Sequence, residues 1–266
     1  MEFELSSAQH VKKAVIPAAG LGTRLRPLTL SQPKEMVACG HLPVIGYVLQ
    51  ELKEAGITEI LLISRRNKPS LEDYVLDGWP GSFVIRQPEQ KGLGHAVSLA
   101  EGWVGADPFV VALGDTIIQA NGPVSPLQRL IASRPAEGCS MVLVREVSPE
   151  RMSRYGVVNP WQTARPGEPF ALRGIIEKPS IEAAPSNLAI AGRYVFTPAI
   201  FSALSAITAA EGGEIQLTSA MEQLCGEPGS LYASSLLPGE RRFDIGSLDS
   251  YFEAFITLSA VERTDT

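Results

Sequence analysis

The chain has 266 residues, of which 45% are hydrophobic and 20% are charged. This length and composition suffice for one large hydrophobic core, or a core with a smaller lobe, and they exclude a disordered or fibrous chain. A net charge of −6 argues against a protein that binds duplex nucleic acid, because that class presents a basic face to the phosphates. Any phosphate that the protein handles is therefore expected to belong to a small molecule.

The sequence also argues against a membrane protein and a secreted protein. Proline, glycine and charged residues interrupt every apolar segment before the roughly 20 residues that cross a bilayer. The first ten residues, with Glu2 and Glu4, lack the charged-then-apolar order of a signal peptide, so we expect a cytoplasmic protein without membrane or nucleic-acid partners. Cys39, Cys139 and Cys225 lie far apart with no CxxC pair, and the three histidines do not cluster with them, which predicts reduced thiols and no zinc site.

Short apolar runs alternate with helical patterns through the first half of the chain. Four runs have the length of buried parallel strands, namely Ala14–Pro17, Glu59–Ser64, Ser82–Arg86 and Phe109–Leu113. Between the first two, Pro43 opens a segment of helical periodicity that Gly56 ends. A second helix is expected over His95–Trp103. The alternation predicts an α/β fold with a Rossmann-like, mixed but mostly parallel central sheet flanked by helices on both faces.

Beyond about Gly138 the pattern changes to strand-like segments, which are Met141–Val144, Gly156–Asn159, Phe170–Glu177 and Ala189–Phe196. Helical periodicity returns over Ile215–Leu224 and Ser247–Leu258. We expect an N-terminal tail over residues 1–11 and a single domain over 12–260, in which a smaller β-rich lobe is inserted or appended. Its first half would span 12–138 and its second half 139–246, and a C-terminal helix at 247–260 would close the fold.

The first strand continues into a loop of small residues that includes Ala19, Gly20 and Gly22. Small side chains leave the backbone N–H groups bare, and such groups can converge on a phosphate chain. Leu25 stands where the dinucleotide-binding fingerprint needs a third glycine, and the Gly-Lys pair of a P-loop is absent. The loop therefore indicates a phosphate-binding turn of neither common type.

Three cations, Arg24, Arg26 and Lys34, lie just beyond this loop, and Pro27 and Pro33 stiffen the chain. A transferring phosphoryl group needs positive charge where its own negative charge develops. Cations beside a loop of bare amides therefore favour phosphate chemistry. On these residues alone, a solvated basic surface loop is the alternative.

Asp115 follows the strand Phe109–Leu113 through Gly114, so its carboxylate is expected at the carboxyl end of a parallel strand. Ligands of open α/β sheets bind at that edge. Magnesium takes one or two protein carboxylates together with phosphate oxygens. An aspartate that caps a helix or a turn is the alternative at this position.

Several motifs resemble one known enzyme family in collinear order. The run Gly20–Thr29, followed by Pro33–Met36, resembles the signature of the sugar-1-phosphate nucleotidyltransferases. Within that family the chain is most similar to bacterial UTP–glucose-1-phosphate uridylyltransferases. Further matches lie at Lys91–Ala96, Tyr155–Val158, Glu177–Pro179, Ala184–Ala189, Gly192–Tyr194 and Glu214–Thr218. The similarity spans roughly Lys13 to Phe255.

The resemblance implies a nucleotide-diphospho-sugar transferase fold, with the sugar in the β-rich lobe, and it assigns the site residue by residue. Catalytic residues would be Arg24, Lys34 and Asp115, and the nucleotide would be bound by Ala19, Gly20, Gly22, Gln87 and Gly92. The sugar phosphate would be bound by Gly156, Glu177, Lys178 and Asn187, and Mg²⁺ would be held by Asp115 and Asp244. Without the resemblance, Asp244 reads as a turn residue, and Glu177 with Lys178 reads as a solvated strand end.

The implied reaction joins a nucleoside triphosphate, UTP, to a sugar 1-phosphate, glucose 1-phosphate, and releases pyrophosphate. An oxygen of the sugar phosphate would attack the α-phosphorus in line, and no general base is needed because this nucleophile is already an anion. The protein then has to position two polyanions and neutralise their charge.

The substrates themselves are left open by departures from the family pattern. His41-Leu42-Pro43 stands where the family commonly has Asp-Lys-Pro, and the segment between Tyr74 and Phe83 is shorter than usual. The alternatives are dTTP or another triphosphate with a different sugar or cyclitol phosphate, and a non-catalytic sensor of nucleotide sugars. An enzyme is favoured over a sensor by the intact set Arg24, Lys34, Asp115, Lys178 and Asp244. A homo-oligomer, either a dimer or a tetramer, is expected as well.

Overall fold

A computed structural model describes residues 11–135, 138–207, 214–227 and 229–261, with the backbone alone at 261. In chain order its strands are β1 (Lys13–Pro17), β2 (Ala38–Cys39), β3 (Leu42–Pro43), β4 (Glu59–Ser64), β5 (Ser82–Arg86), β6 (Phe109–Ala112), β7 (Thr116–Gln119), β8 (Ser140–Glu146), β9 (Gly156–Pro160), β10 (Phe170–Glu177), β11 (Leu188–Phe196), β12 (Leu231–Ser235) and β13 (Arg241–Asp244). Its helices are α1 (Val44–Glu54), α2 (Pro69–Gly78), α3 (Gly92–Ser98), α4 (Glu101–Val104), α5 (Pro126–Ala132), α6 (Ala199–Ala206), α7 (Leu217–Leu224) and α8 (Leu248–Val261).

Nine strands form one central sheet in the order β5-β4-β1-β6-β11-β8-β12-β10-β9. Strands β5, β4, β1 and β6 are parallel, as the sequence predicts, and the ranges predicted for β4 and β5 are those of the structure. Strands β1, β4 and β6 are apolar and buried because hydrophobic clusters cover both faces of the sheet.

The β-rich second half of the chain extends this same sheet. Strand β11 pairs antiparallel with β6 on one side and with β8 on the other, so the sheet is mixed. Strand β12 is parallel to β8, and β10 and β9 complete the far edge in antiparallel pairing. The predicted α/β class with a mixed central sheet is thus confirmed, but the sheet is not mostly parallel, because four of the eight pairings between neighbouring strands are antiparallel.

Two short ribbons lie outside the central sheet. In one, β7 pairs antiparallel with β13, which brings Thr116 opposite Asp244. In the other, β2 pairs with β3. Helix α8 packs against β13 and β2, as expected of a helix that closes the fold.

Two predicted helices differ from those in the structure. The helix predicted over His95–Trp103 is two helices, α3 and α4, because a tight turn in which the Ala100 N–H donates to the Val97 carbonyl separates them. The helix predicted from Ile215 begins at Leu217, because the backbone of Ile215 instead pairs with Lys91 and Gly94. None of the helices in the described ranges is both long and apolar enough to cross a membrane.

Candidate active site

A cavity of about 530 Å³ opens along the edge of the sheet where β1, β4, β5 and β6 end. Because these strands are parallel, the segments that follow them converge at that edge. This first cavity is lined by Pro17, Ala19–Leu25, Lys34, Gln87, Gln90, Gly92, Leu93, Ala96, Leu113, Asp115, Glu214 and Gly246. The structure therefore brings together the predicted nucleotide-binding residues and the three predicted catalytic residues.

The glycine loop after β1 is held closely against the segment that carries Lys34. Gly22 has a φ of 65°, and its carbonyl accepts a 2.8 Å hydrogen bond from the Thr29 hydroxyl. A side chain at Gly22 would place its Cβ 3.1 Å from the Thr29 methyl and 3.3 Å from Lys34 Cβ. A Cβ at Gly20 would lie 3.6 Å from the Lys34 ammonium. Glycine at these positions lets the loop backbone and the Lys34 cation share one wall of the cavity.

Gln87 lies directly after β5 and lines the same cavity. Its Nε2 donates to the Gly92 carbonyl at 3.3 Å and lies 2.9 Å from His95 Nδ1. With the NH₂ group facing these partners, the Gln87 carbonyl oxygen is left as an acceptor for a ligand. Gly92 has a φ of 90°, and a Cβ there would meet the Ile215 carbonyl oxygen at 2.7 Å, so this position requires glycine.

Lys34 and Asp115 form an ion pair in the cavity, with the ammonium donating to Asp115 Oδ2. Burial by itself would raise the pKa of Asp115, but the charge of Lys34 and the hydrogen bond from it, with a smaller effect of Arg242, hold that pKa below its ordinary value. Burial would likewise lower the pKa of Lys34, but Asp115, Glu35 and Asp244 together raise it. Both groups are therefore charged at neutral pH.

A buried arginine anchors the segment around Asp115 to the central sheet. Arg193 is fully buried on β11, and its guanidinium donates to the carbonyls of Leu113 and Thr116 at 3.4 and 2.8 Å. The same guanidinium forms an ion pair with Glu51 of α1 at 2.7 Å. Two residues that bracket Asp115 are thus fixed to the central sheet and to a helix, which restricts where its carboxylate can lie.

The second predicted metal ligand, Asp244, is brought next to Asp115 by the β7–β13 ribbon. Asp244 pairs with Thr116, and the Ile245 N–H donates to the Asp115 carbonyl at 2.9 Å. Within the described ranges, no cluster of three or more His, Cys, Asp or Glu side chains could hold a metal ion. Two neighbouring carboxylates nevertheless fit magnesium, which completes its shell with phosphate oxygens and water.

A second cavity, of about 310 Å³, lies beside the first. It is lined by Arg24, Leu93, Leu113, Asp115, Thr116, Arg154–Gly156, Glu177, Lys178, Ile190, Gly192, Tyr194, Gln216–Thr218, Arg242 and Asp244. Arg24, Leu93, Leu113 and Asp115 line both cavities. Ligands in the two cavities would thus approach each other beside one cation and one carboxylate.

Within the second cavity, Glu177 is held at the end of β10. Its Oε2 accepts a 3.0 Å hydrogen bond from the Thr218 hydroxyl of α7. A Cβ at Gly156 would lie 2.7 Å from the Thr218 methyl and 3.2 Å from Glu177 Oε2. Glycine at 156 therefore leaves the room in which the Glu177 carboxylate can accept hydroxyl groups.

Lys178 has a φ of 47°, which a residue other than glycine rarely adopts. Its N–H donates to the Tyr155 carbonyl at 3.0 Å, and its ammonium lies 3.3 Å from Glu177 Oε1. The side chain is 55% exposed at the cavity lining. Strained backbone of this kind is often found at functional sites, and here it directs an exposed cation to the cavity.

Two sequence features lie away from the cavities. Asn187, predicted to bind the sugar phosphate, is exposed just before β11 and is outside the lining of both cavities. The His41-Leu42-Pro43 departure lies at the β2–β3 ribbon, also outside both linings. That ribbon contacts Tyr47 and Tyr251, whose hydroxyls donate to the Cys39 and Ala38 carbonyls.

Sequence reasoning missed Arg242, which lies two residues before Asp244 on β13. Its side chain is 5% exposed, and its guanidinium lies 3.7 Å from the Asp244 carboxylate and 5.2 Å from the centre of the Tyr155 ring. Arg145 lies 5.4 Å from the same ring. The sequence did carry a signal for Arg242. Residues two apart on a strand lie on the same face, so Arg242 lies on the same face as Asp244.

Known proteins resemble this chain in both sequence and fold. The family model described as nucleotidyl transferase matches residues 13–260. The chain is 40% identical to the UTP–glucose-1-phosphate uridylyltransferase YngB of Bacillus subtilis, over 92% of this chain and 89% of that protein. It is 39% identical to UTP–glucose-1-phosphate uridylyltransferase 1 of Staphylococcus saprophyticus, over 94% and 93%.

Solved structures also resemble this chain. A UDP-glucose pyrophosphorylase complexed with UDP-glucose matches with a TM-score of 0.85 and 33% identity, over 97% of this chain and all of that one. The UTP-bound enzyme from Acinetobacter baumannii matches equally well, over 96% and 98%. The chain therefore belongs to the nucleotidyl transferase family.

Proposed function

We propose that the protein transfers UMP from UTP to glucose 1-phosphate, which yields UDP-glucose and pyrophosphate. The observation that carries this proposal is the pair of cavities that share Arg24 and Asp115 in their linings. Transfer between two phosphate compounds needs two adjoining sites with charge at their junction. The identities of the two substrates rest on the relatives, which act on UTP and glucose 1-phosphate by name.

In this proposal the first cavity binds the nucleotide. The bare amides of the loop from Ala19 to Gly22 would face the phosphates. The Gln87 carbonyl oxygen would accept from N3–H of uracil, which cytosine lacks. Support comes from the hydrogen bonds of the Gln87 NH₂ group to Gly92 and His95, which leave that oxygen available.

The second cavity binds the sugar phosphate. Glu177 would accept hydroxyl groups of the sugar, and Lys178 would meet its phosphate. Gly156 would give the sugar ring close access to Glu177, whereas Asn187 would have to act from outside the described lining. The nucleotide half, 12–138, and the sugar half, 139–246, would then each supply most of one cavity.

The chemical step needs positioning and charge rather than a proton acceptor. A phosphate oxygen of glucose 1-phosphate attacks the α-phosphorus of UTP, a new P–O bond forms, and the bond to the β-phosphate oxygen breaks. The pyrophosphate leaves as an anion. Arg24 at the junction and Lys34 beside the loop would neutralise the charge that develops on the α-phosphate.

Magnesium belongs to the proposal, with Asp115 and Asp244 as its protein ligands. When bound, the ion would neutralise phosphate charge and hold phosphate oxygens in a fixed arrangement. Lys34 would keep Asp115 ionised through their ion pair, so that its carboxylate is available as a ligand at neutral pH.

A symmetric homo-oligomer, dimer or tetramer, and a cytoplasmic location complete the proposal. Helix α8 supports the assembly, because the apolar side chains of Phe252 and Ile256 on it are 54% and 68% exposed. The location follows from the substrates, since nucleoside triphosphates are intracellular compounds. Light scattering at several protein concentrations measures the assembly.

The experiment that tests the proposed reaction is pyrophosphate release by the purified protein with magnesium and glucose 1-phosphate. UTP, dTTP, ATP, CTP and GTP are supplied separately, each with and without EDTA. Release with UTP that EDTA abolishes is the expected result. Release with another triphosphate alone would overturn the choice of UTP. If no pyrophosphate is released with any of the five triphosphates, nor with a panel of sugar and cyclitol phosphates, a non-catalytic sensor of nucleotide sugars would remain as the function.

A further inference from the structure

A buried lysine lies behind the glycine loop, outside the lining of both cavities. Lys68, at the start of α2, is 5% exposed. Its ammonium donates to the Ala18 carbonyl at 2.6 Å and to the two carboxylate oxygens of Glu35 at 2.9 and 2.7 Å. These three acceptors satisfy all three N–H donors of the ammonium group.

The partner of Lys68 is buried just as deeply. The residue exposure of Glu35 is 0%, and both oxygens of its carboxylate accept hydrogen bonds from Lys68. Burial is the largest effect on both groups, raising the pKa of Glu35 and lowering that of Lys68, and each partner opposes that effect in the other. Taking both ions of such a pair out of water is costly, and the pair is often no more stabilising than apolar residues of similar size. Stability alone is therefore a weak reason for placing this pair here.

The contacts of the pair give it another role. Ala18 opens the glycine loop, and Glu35 directly follows Lys34. One ammonium thus joins the start of α2, the start of the loop and the turn that carries Lys34. Gly114, just before Asp115, packs against Ala18 and Glu35, since a Cβ there would lie 3.4 Å from Ala18 Cβ and 3.5 Å from Glu35 Cγ.

We propose that Lys68 and Glu35 are positioning residues for the nucleotide subsite. Lys68 fixes the Ala18 carbonyl, and so sets where the loop amides lie, while Glu35 fixes the turn that presents Lys34. This inference rests on the proposed function for its ligand. The pair is assigned to the nucleotide subsite and not to the sugar-phosphate subsite, because the contacts of Lys68 and Glu35 lie on the side of the first cavity.

The test separates positioning from stability by removing one charge and then both. Lys68→Met leaves Glu35 buried without its partner, so both the thermal midpoint and the affinity for UTP are expected to fall. Lys68→Met/Glu35→Leu removes both charges and should regain the thermal midpoint. It should nevertheless keep a KM for UTP raised about tenfold or more, with the KM for glucose 1-phosphate within about twofold of wild type.

Lys13→Met is the matched control at the other end of β1. The Lys13 ammonium also binds a backbone carbonyl, that of Val104 at 3.0 Å, and a carboxylate, Asp107, at 2.7 Å. Neither KM should change in this variant. If the double variant regains both the thermal midpoint and the wild-type KM for UTP, or if both KM values rise alike, the positioning role is overturned.

Hydrogen exchange of the ligand-free variants separates this inference from the proposed function. Loop amides at residues 19–22 should exchange faster in both Lys68 variants than in wild type and in Lys13→Met. Faster exchange in a protein that turns over no substrate would support the positioning of the loop while the proposed reaction fails. Unchanged exchange in the double variant would contradict the positioning itself.

Discussion

The Lys34 ammonium donates to the Asp115 carboxylate at the boundary between the two cavities. The same ammonium faces the glycine loop, since a Cβ on Gly20 would lie 3.6 Å from it. An ammonium group has three donors, so Lys34 can hold Asp115 and still donate to a phosphate beside the loop. The pair thus links the phosphate-binding wall to the carboxylates proposed for magnesium.

Asp115→Asn removes this carboxylate with almost no change in volume. We expect turnover to fall by about 10²-fold or more, because the magnesium ion that would neutralise the reacting phosphates loses one of its two proposed protein ligands. Pyrophosphate release at saturating substrates measures it. Asp107→Asn is the control, since Asp107 also pairs with a lysine but is 62% exposed at the surface. Near-normal turnover of Asp115→Asn would remove Asp115 from the reaction.

The pH dependence of stability gives a second test of Asp115. Burial opposes its ionisation, but Lys34 and, more weakly, Arg242 hold its pKa below the ordinary 3.8. A carboxyl with a lowered pKa stabilises the fold fully above its unfolded pKa, and this contribution is lost as the pH falls through the folded value.

We therefore expect the free energy of unfolding of wild type to exceed that of Asp115→Asn by a constant amount from about pH 7 to about pH 5. The difference should shrink below pH 3.8, the ordinary aspartate pKa. Urea unfolding at a series of pH values measures it. A difference that does not shrink in acid would show that Asp115 is not held ionised by its partners.

Lys178→Ala should separate the two substrates. Because Lys178 lines the second cavity and not the first, we expect the KM for glucose 1-phosphate to rise about tenfold or more, and the KM for UTP to change by less than about twofold. Lys91→Ala is the matched control, since the two lysine side chains are 53% and 55% exposed and each lies near a glutamate. A larger rise in the KM for UTP would reassign the second cavity.

Gly156→Ala should weaken the binding of the same substrate by steric crowding rather than by the loss of a charge. The added Cβ would lie 2.7 Å from the Thr218 methyl and 3.2 Å from Glu177 Oε2, so it should displace the carboxylate that accepts sugar hydroxyls. We expect a KM for glucose 1-phosphate raised by about tenfold, from steady-state kinetics. Gly102→Ala on α4 should leave kinetics unchanged, since its Cβ would have no heavy atom within 4 Å among the described residues outside its own helix backbone and chain neighbours. Equal kinetics in both variants would place the sugar elsewhere.

Local patterns account for the parts of the structure that could be predicted from sequence. Runs such as Glu59–Ser64 and Ser82–Arg86 lie in the parallel part of the sheet and have the lengths that the structure shows. Asp115 was predictable at the sheet edge because it closely follows such a strand. Both inferences use neighbouring residues only.

Long-range pairing accounts for much of what was missed. The β7–β13 ribbon joins two four-residue strands that are far apart in the sequence, and it is this ribbon that brings Asp244 and Arg242 to Asp115. Alternation along β13 places Arg242 on the face of Asp244, but no local period signals that this strand pairs with β7. The predicted start of a helix at Ile215 failed for a similar reason, since its backbone pairs with Lys91 and Gly94.

The most direct test of the proposed reaction follows the oxygen atoms of glucose 1-phosphate. The three non-bridging phosphate oxygens are labelled with ¹⁸O, and the labelled substrate is turned over with UTP and magnesium. The masses of the products are then measured by mass spectrometry. Attack by a sugar-phosphate oxygen on the α-phosphorus predicts UDP-glucose that keeps all three labels and pyrophosphate that carries none. Label in the pyrophosphate, or loss of a label from UDP-glucose, would contradict that attack.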